Sequence, residues 1–225
     1  MKINEELLNF LNASPTAFHA VAYIRSLLKK NGYEELSEGN SWKLKENAKY
    51  FVVRNESAVI AFRTVKKDFK GFMIGASHSD SPAFKVKENP EIVANGYVKL
   101  NVEGYGGMLM SPWLDRPLSV AGRVIVQQGT SFVTKLVNID RDFCMIPSLA
   151  IHMDRDANKD HTWNAQTDML PIVGDASSKG KFMKEVAKAA GVKEKEIIGN
   201  DLFLYIREQG TTSDVNQEYI STQHL

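Results

Sequence analysis

Segment 71–82, GFMIGASHSDSP, constrains most strongly what this chain can fold into. Residues 72–74 form an uninterrupted apolar run, which is typical of a strand that is covered on both faces. The small residues that follow at 75–77 allow another backbone or a ligand to approach closely, and Pro82 ends strand pairing. The sequence therefore predicts a buried strand that ends at a polar site.

His78 and Asp80 supply the polar groups of this predicted site. Side chains two residues apart on a strand point in the same direction, so the Asp80 carboxylate can hold one imidazole N–H of His78 and leave the other nitrogen free. This is the arrangement of a metal-binding histidine with its orienting carboxylate. The same spacing is also common at polar strand ends, so spacing alone leaves a metal role and a surface role open.

Composition narrows the class of protein. With 225 residues, 43% of them hydrophobic, the chain can bury a core as one large domain or two smaller ones. Its net charge of +1 gives no electrostatic basis for binding nucleic acid or an anionic membrane, and no stretch approaches the roughly 18 apolar residues of a membrane span. Cys144 is the single cysteine, which excludes an internal disulfide and predicts a buried thiol in a cytoplasmic protein.

Apolar residues at helical spacing predict a first helix over 3–11 and a second one that begins at a Ser14 or Thr16 cap and ends near Gly32. The residues expected on the apolar face of the second helix are Ala20, Ile24, Leu27 and Leu28. His19 lies beside that face and is interpreted as a partly buried helix residue without a catalytic role.

Strands and turns dominate the sequence from about residue 50 to residue 177. Two hairpins are predicted, one pairing 50–54 with 58–64 and the other pairing 118–127 with 132–139. Little helical periodicity follows Pro82, so a second unit is expected to begin near Pro90.

A second apolar run, 146–152, ends on His152 and also predicts a strand, followed by a polar loop in which His161 is interpreted as a solvated side chain. A helix is then expected from a Ser177 or Ser178 cap to Gly191, and a last strand over 201–207. Asp115 and Arg116 are adjacent and point apart on a strand, so they are interpreted as structural.

Several of these segments together resemble the M18 family of zinc aminopeptidases, which includes aspartyl aminopeptidase. In order along the chain they are SPTAFHA at 14, YFVVRNESAVIAF at 50, GASHSDSP at 75, WLDRPLSVAGRV at 113 and LAIHM at 149. The resemblance implies an α/β exopeptidase-type catalytic domain with an inserted β-rich dimerisation domain that builds a dodecamer. It divides the chain into 1–90 as the N-terminal part of the catalytic domain, 91–219 as the insertion, and 220–225 as the start of a return to the catalytic domain.

The resemblance also implies roles for three residues. His78 corresponds to a zinc ligand, Asp80 to its orienting catalytic carboxylate, and His152 to an insertion-domain histidine that reaches the active site of a neighbouring subunit. The implied activity is removal of N-terminal residues from peptides by metal-activated water, at a two-metal zinc site.

The family's other metal ligands and its general base lie downstream of the segment that resembles ISTQHL, where this chain reaches Leu225. A catalytic zinc generally needs three protein ligands and an open position, and only His78 is recognisable here. We therefore expect a truncated chain with an incomplete site. Two hypotheses remain open: a metalloaminopeptidase subunit, and a non-catalytic oligomerisation module or inert fragment that keeps the dimerising insertion.

Overall fold

The structure is a computed structural model that describes residues 2–66, 68–159 and 161–223. The chain divides into two compact units, the first ending at Ser81 and the second beginning at Pro82. The predicted domain limits at residues 90 and 219 remain predictions about how the family's domains are divided. Positions 67, 160, 224 and 225 lie outside the described residues, so the structure describes 220–223 of the predicted return segment 220–225.

Within its described residues, the first unit contains two helices and a three-stranded sheet. Its elements are α1 (Lys2–Asn12), α2 (Ala17–Lys30), β1 (Glu34–Leu36), β2 (Lys49–Arg54) and β3 (Ala58–Arg63). The strand order is β1-β2-β3, with β1 parallel to β2 and β2 antiparallel to β3. The first predicted hairpin is therefore confirmed, with residues 55–57 as its turn. Asn55 and Glu56 have positive φ, and the Ser57 N–H donates to the carbonyl oxygen of Arg54 at 3.2 Å.

Helix α2 buries only part of the predicted apolar face. Phe18, Ala20 and Val21 are buried, whereas the Leu27 residue is 48% exposed. Successive residues of an α-helix are about 100° apart, so Leu27 lies about 120° around the axis from Val21. The prediction was wrong for Leu27, whereas Ala20 is buried and Ile24 and Leu28 are partly buried, as expected.

His19 is largely buried on α2, and burial lowers its pKa to about 4. Its Nδ1 atom and the Thr16 hydroxyl are hydrogen-bonded at 2.8 Å. Thr16 is the N-cap residue, but its side chain makes no capping hydrogen bond to the helix backbone. The hydroxyl thus satisfies the neutral imidazole, which agrees with the structural interpretation of this histidine.

Residues 71–77 do not form the predicted buried strand. The segment has no regular secondary structure, and Phe72, Met73 and Ile74 are 80%, 104% and 85% exposed. A strand needs a neighbour with which to exchange backbone hydrogen bonds, and apolar side chains need a covering layer. Among the described residues, β3 is an edge strand, but segment 71–77 does not pair with it and its apolar side chains stay exposed.

The second unit is built on a six-stranded sheet with antiparallel pairing throughout. Its strands are β4 (Ala83–Ala94), β5 (Tyr97–Tyr105), β6 (Leu118–Gln128), β7 (Ser131–Asn138), β8 (Ile172–Asp175) and β9 (Ile197–Ile206). Their order is β7-β6-β9-β4-β5-β8, and a small hairpin of β10 (Thr211–Ser213) and β11 (Tyr219–Ser221) follows. The second predicted hairpin is confirmed as β6 and β7. None of the helices in the described part of the chain is long and apolar enough to cross a membrane.

One face of this sheet packs on helix α3 (Phe182–Ala190). Val120, Val124 and Val126 alternate along β6 and are completely buried, and Phe182 and Val186 of the helix join the same core. Every second side chain of β6 thus packs in one apolar layer with the buried face of α3, as expected of a two-layer domain. Cys144 is buried in this core as a free thiol, and burial raises its pKa to about 12.

Helix α3 starts later than predicted and has another cap. The Glu91 carboxylate of β4 accepts hydrogen bonds from the backbone N–H groups of Gly180, at 2.6 Å, and Phe182, at 2.9 Å. Ser177 and Ser178 lie instead in a short 3-10 turn, 176–178. The prediction of a serine cap was wrong because a carboxylate distant in sequence satisfies the amides at this end of the helix.

The predicted strand over 146–152 is also absent. Ile146 forms an isolated bridge with Leu114, and residues 147–150 have no regular structure. Pro147 has no backbone N–H, so it cannot continue a strand ladder. The apolar character of this run reflects the burial of Ile146 rather than a continuous strand.

Gly122 marks the closest approach of β6 and β9. A Cβ atom at this position would lie 2.0 Å from the carbonyl oxygen of Asp201, and the backbone has φ +156°. Gly122→Ala should therefore lower the free energy of unfolding by about 3 kcal/mol or more, because the clash involves backbone that cannot shift without breaking the ladder. Urea unfolding followed by circular dichroism measures this difference. Gly107→Ala is the matched control, since its Cβ would meet nothing within 4 Å, and equal midpoints for the two variants would contradict the prediction.

Candidate metal-binding site and the His152 loop

His78 and Asp80 meet at a bend rather than at the end of a strand. The Ser79 hydroxyl donates a hydrogen bond of 2.7 Å to the carbonyl oxygen of Ser57, the residue that precedes β3. This bond ties the bend to the hairpin of β2 and β3. The structure thus brings together the two residues that the sequence paired, but by a different backbone conformation from the predicted one.

The imidazole of His78 is oriented through its Nδ1 atom. That atom lies 2.7 Å from the backbone carbonyl oxygen of Asp80 and 3.4 Å from its carboxylate Oδ1. A carbonyl oxygen only accepts, so Nδ1 carries the proton and Nε2 presents its lone pair outward. A histidine held in this tautomer is suited to bind a metal through Nε2.

The site is open to solvent, since the side chains of His78 and Asp80 are 70% and 42% exposed. Within residues 2–66, 68–159 and 161–223, no three or more His, Cys, Asp or Glu side chains are grouped so that they could hold a metal ion. A catalytic zinc requires about three protein ligands. His78 fits one ligand position, and the described residues do not complete the set.

His152 belongs to the second unit and lies in a turn, not at a strand end. The carbonyl oxygen of Ala150 accepts hydrogen bonds from the backbone N–H groups of Met153, at 2.8 Å, and Asp154, at 3.3 Å. His152 is exposed at the tip of this turn. An exposed imidazole with two usable nitrogen atoms is suited to contact another molecule.

Asp115 fixes the chain just before this turn. Its carboxylate accepts hydrogen bonds from the Ser148 hydroxyl and, at 2.9 Å, from the Ser148 backbone N–H, and these bonds lower the pKa of the Asp115 carboxyl. Its neighbour Arg116 forms an ion pair of 2.5 Å with Glu208. Both residues therefore make structural contacts, in agreement with their interpretation from the sequence.

His161 is exposed, as the sequence suggested, but its imidazole also has two partners within the loop. Its Nδ1 atom lies 3.0 Å from Asp154 Oδ2, and its ring centroid lies 4.0 Å from that of Trp163. The residue as a whole is exposed, and its side chain keeps 28% of its accessible surface because Asp154 and Trp163 cover the rest. The sequence held one signal of this arrangement, an aromatic residue two positions after the histidine in an otherwise polar loop.

Comparison with known proteins identifies a family whose members resemble this chain. The family model for "Aminopeptidase I zinc metalloprotease (M18)" matches residues 10–225. A probable M18 family aminopeptidase 2 of Clostridium acetobutylicum is 46% identical over 235 residues, covering 100% of this chain and 54% of that protein. A probable aspartyl aminopeptidase of Ricinus communis is 40% identical over 208 residues, covering 89% of this chain and 41% of that protein. The chain thus spans about half the length of the curated relatives that it matches.

Solved structures share the fold. Ape4, in its complex with Nbr1, matches with a TM-score of 0.90 and 32% identity, over 96% of this chain and 46% of that one. The S. cerevisiae mApe1 dodecamer matches with a TM-score of 0.77 and 27% identity, over 97% of this chain and 51% of that one. Their agreement with both units confirms an α/β fold with a β-rich region.

The geometry of His78 predicts weak zinc binding by the 225-residue chain. One oriented imidazole cannot replace the hydration shell of the ion, so we expect a dissociation constant weaker than about 10 µM and no turnover of an aminoacyl anilide. Isothermal titration calorimetry measures the binding, with His78→Ala as the matched variant. Tight one-to-one binding that His78→Ala abolishes would show that other residues of this chain complete the site.

Proposed function

The chain belongs to the M18 family of zinc metallopeptidases, and from this premise we propose that it forms part of an aminopeptidase that removes residues from the N-termini of peptides. The observation that carries the proposal is the His78 imidazole, whose Nδ1 atom is satisfied by Asp80 while Nε2 remains available. The alternative interpretation as a polar surface pair does not explain why both residues fall in the segment that resembles the family's ligand segment.

In this proposal, His78 holds a zinc ion through Nε2 and Asp80 fixes the orientation of the imidazole. Zinc bound at a two-metal site would supply an activated water and polarise the scissile carbonyl. The remaining ligands and the general base are contributed by polypeptide that corresponds to the other half of the relatives. The exposed apolar run 72–74 supports this view, because apolar side chains more than three-quarters exposed form a surface that further polypeptide can cover.

His152 is proposed to act on the substrate bound at a neighbouring subunit. An imidazole at the tip of an exposed turn can reach a partner, and its N–H can donate to the carbonyl oxygen where negative charge develops. The dodecameric assembly of the solved mApe1 relative supports self-association as the setting for this contact. We further propose a cytoplasmic location, which the buried free thiol of Cys144 favours.

A second candidate function is a non-catalytic assembly module. It is favoured by the edge strand β7, where Phe132, Val133 and Leu136 are 66%, 37% and 38% exposed. Such an edge favours pairing with another chain whether or not catalysis occurs. The two candidates differ in whether the complete polypeptide releases N-terminal residues from peptides in a zinc-dependent manner.

The role of His152 predicts a kinetic defect without loss of metal. In the complete polypeptide, His152→Ala should lower kcat by roughly 10²- to 10³-fold, the range for losing one oxyanion donor, while zinc content stays unchanged. Mixing His152→Ala subunits with His78→Ala subunits should restore part of the activity, because a mixed interface pairs an intact metal site with an intact His152. Mixtures that stay inactive despite verified subunit exchange, or a His152→Ala enzyme with normal kcat, would contradict this role.

The exposed edge of β7 predicts self-association of the chain itself. Light scattering at micromolar concentration should show a dimer or larger species, and Phe132→Glu should weaken it because a charge on an edge strand opposes pairing. Phe72→Glu is the control for non-specific association through the apolar run of the first unit. A monomeric chain, or association that responds only to Phe72→Glu, would argue against the second unit as the assembling part.

A further inference from the structure

The turn that carries His152 is held by few contacts of its own. Among the described residues, its backbone hydrogen bonds run from Met153 and Asp154 to the carbonyl oxygen of Ala150 and from Ala157 to that of Asp154, and all of them are local. His152 itself is exposed. Local hydrogen bonds in an exposed turn compete with water and restrict the backbone weakly, so precise presentation of the imidazole needs an additional constraint.

A second turn, 164–168, provides a firm attachment farther along the chain. The Asp168 backbone N–H donates to the Asn164 carbonyl oxygen at 2.8 Å, and the Asn164 backbone N–H donates to Asp168 Oδ2, also at 2.8 Å. The first of the causes that lower the pKa of Asp168 is this hydrogen bond from Asn164. On either side of the turn, Met169 is completely buried and Trp163 packs against the core.

His161 joins the weakly held turn to this attachment. Its Nδ1 atom pairs with Asp154 Oδ2 at 3.0 Å, two residues after His152, while its ring lies against Trp163. The side chains of His161 and Asp154 are 28% and 25% exposed, so the pair is partly shielded from water. Pairs of this kind are stronger than exposed surface pairs, which contribute little.

We propose that His161 is a positioning residue that holds the turn 150–154 against Trp163 and so presents His152 in one orientation. The catalytic part of this inference rests on the proposed function, because it concerns the histidine that would contact substrate. A hydrogen-bond donor to a developing charge must be held within about 0.5 Å of its productive position. The bridge from Asp154 through His161 to the core supplies that restraint.

Hydrogen exchange on the 225-residue chain tests the bridge without any need for activity. His161→Ala should accelerate exchange of the amides in 150–154 about tenfold, since a charge-assisted contact is lost, whereas peptides from β6 should exchange as before. His161→Asn is the matched variant, because its side-chain N–H occupies nearly the position of imidazole Nδ1–H and should restore most of the protection. Unchanged exchange in His161→Ala, or no recovery in His161→Asn, would overturn the bridge.

A kinetic cycle on the complete polypeptide tests whether the bridge acts through His152. His161→Ala should lower kcat about tenfold with little change in KM, and His161→Asn should recover most of it. In a His152→Ala background, His161→Ala should have no further effect, because there is no donor left to position. An equal loss in both backgrounds would reduce His161 to a structural residue and leave the proposed function intact.

A complete polypeptide without aminopeptidase activity would overturn the proposed function and with it the effect of His161 on catalysis. The exchange experiment would still decide whether the bridge exists.

Discussion

The pairing of β6 with β9 is the interaction on which the second unit depends. At Gly122 the backbones of these two strands are so close that a Cβ atom would clash with the carbonyl oxygen of Asp201. The Asp201 carboxylate of β9 also forms ion pairs with Lys85 Nζ of β4, at 3.0 Å, and with Arg123 Nη2 of β6, at 2.8 Å. Burial alone would raise the pKa of the Asp201 carboxyl, but the hydrogen bonds from these two cations lower it overall. Backbone hydrogen bonds and ion pairs thus join the central strands β6, β9 and β4. The strands β7, β5 and β8 extend the sheet on either side of them.

The candidate functional residues do not belong to this ladder but lie on bends and turns that side chains hold in place. Ser79 ties the His78 bend to Ser57, Asp115 holds Ser148, and His161 holds Asp154. Each contact is a side-chain bond between segments that carry no regular secondary structure. Functional groups on loops need such ties, because a loop backbone by itself does not fix the direction of a side chain.

The apolar pattern of β6 and the apolar run 72–74 are covered to very different extents. In the second unit, strand and helix patterns meet in one core, and Val120, Val124 and Phe182 are fully or almost fully buried. In the first unit, the apolar run 72–74 remains exposed although its composition is that of a buried strand. Apolar composition alone therefore does not bury a segment, because burial also needs a surface that covers it.

The sequence by itself determined the elements whose signals are local. The two hairpins follow from alternating residues around short turns, and the association of His78 with Asp80 follows from their spacing and from the family resemblance. Only the tertiary structure decided the features that depend on distant partners. Glu91 of β4 accepts hydrogen bonds from amides at the start of α3, His161 contacts both Trp163 and Asp154, and residues 71–77 pair with no strand among the described residues. The physical reason is that a backbone amide, a charge or an apolar face is satisfied by whichever group lies nearest in space, and sequence distance does not reveal which group that is.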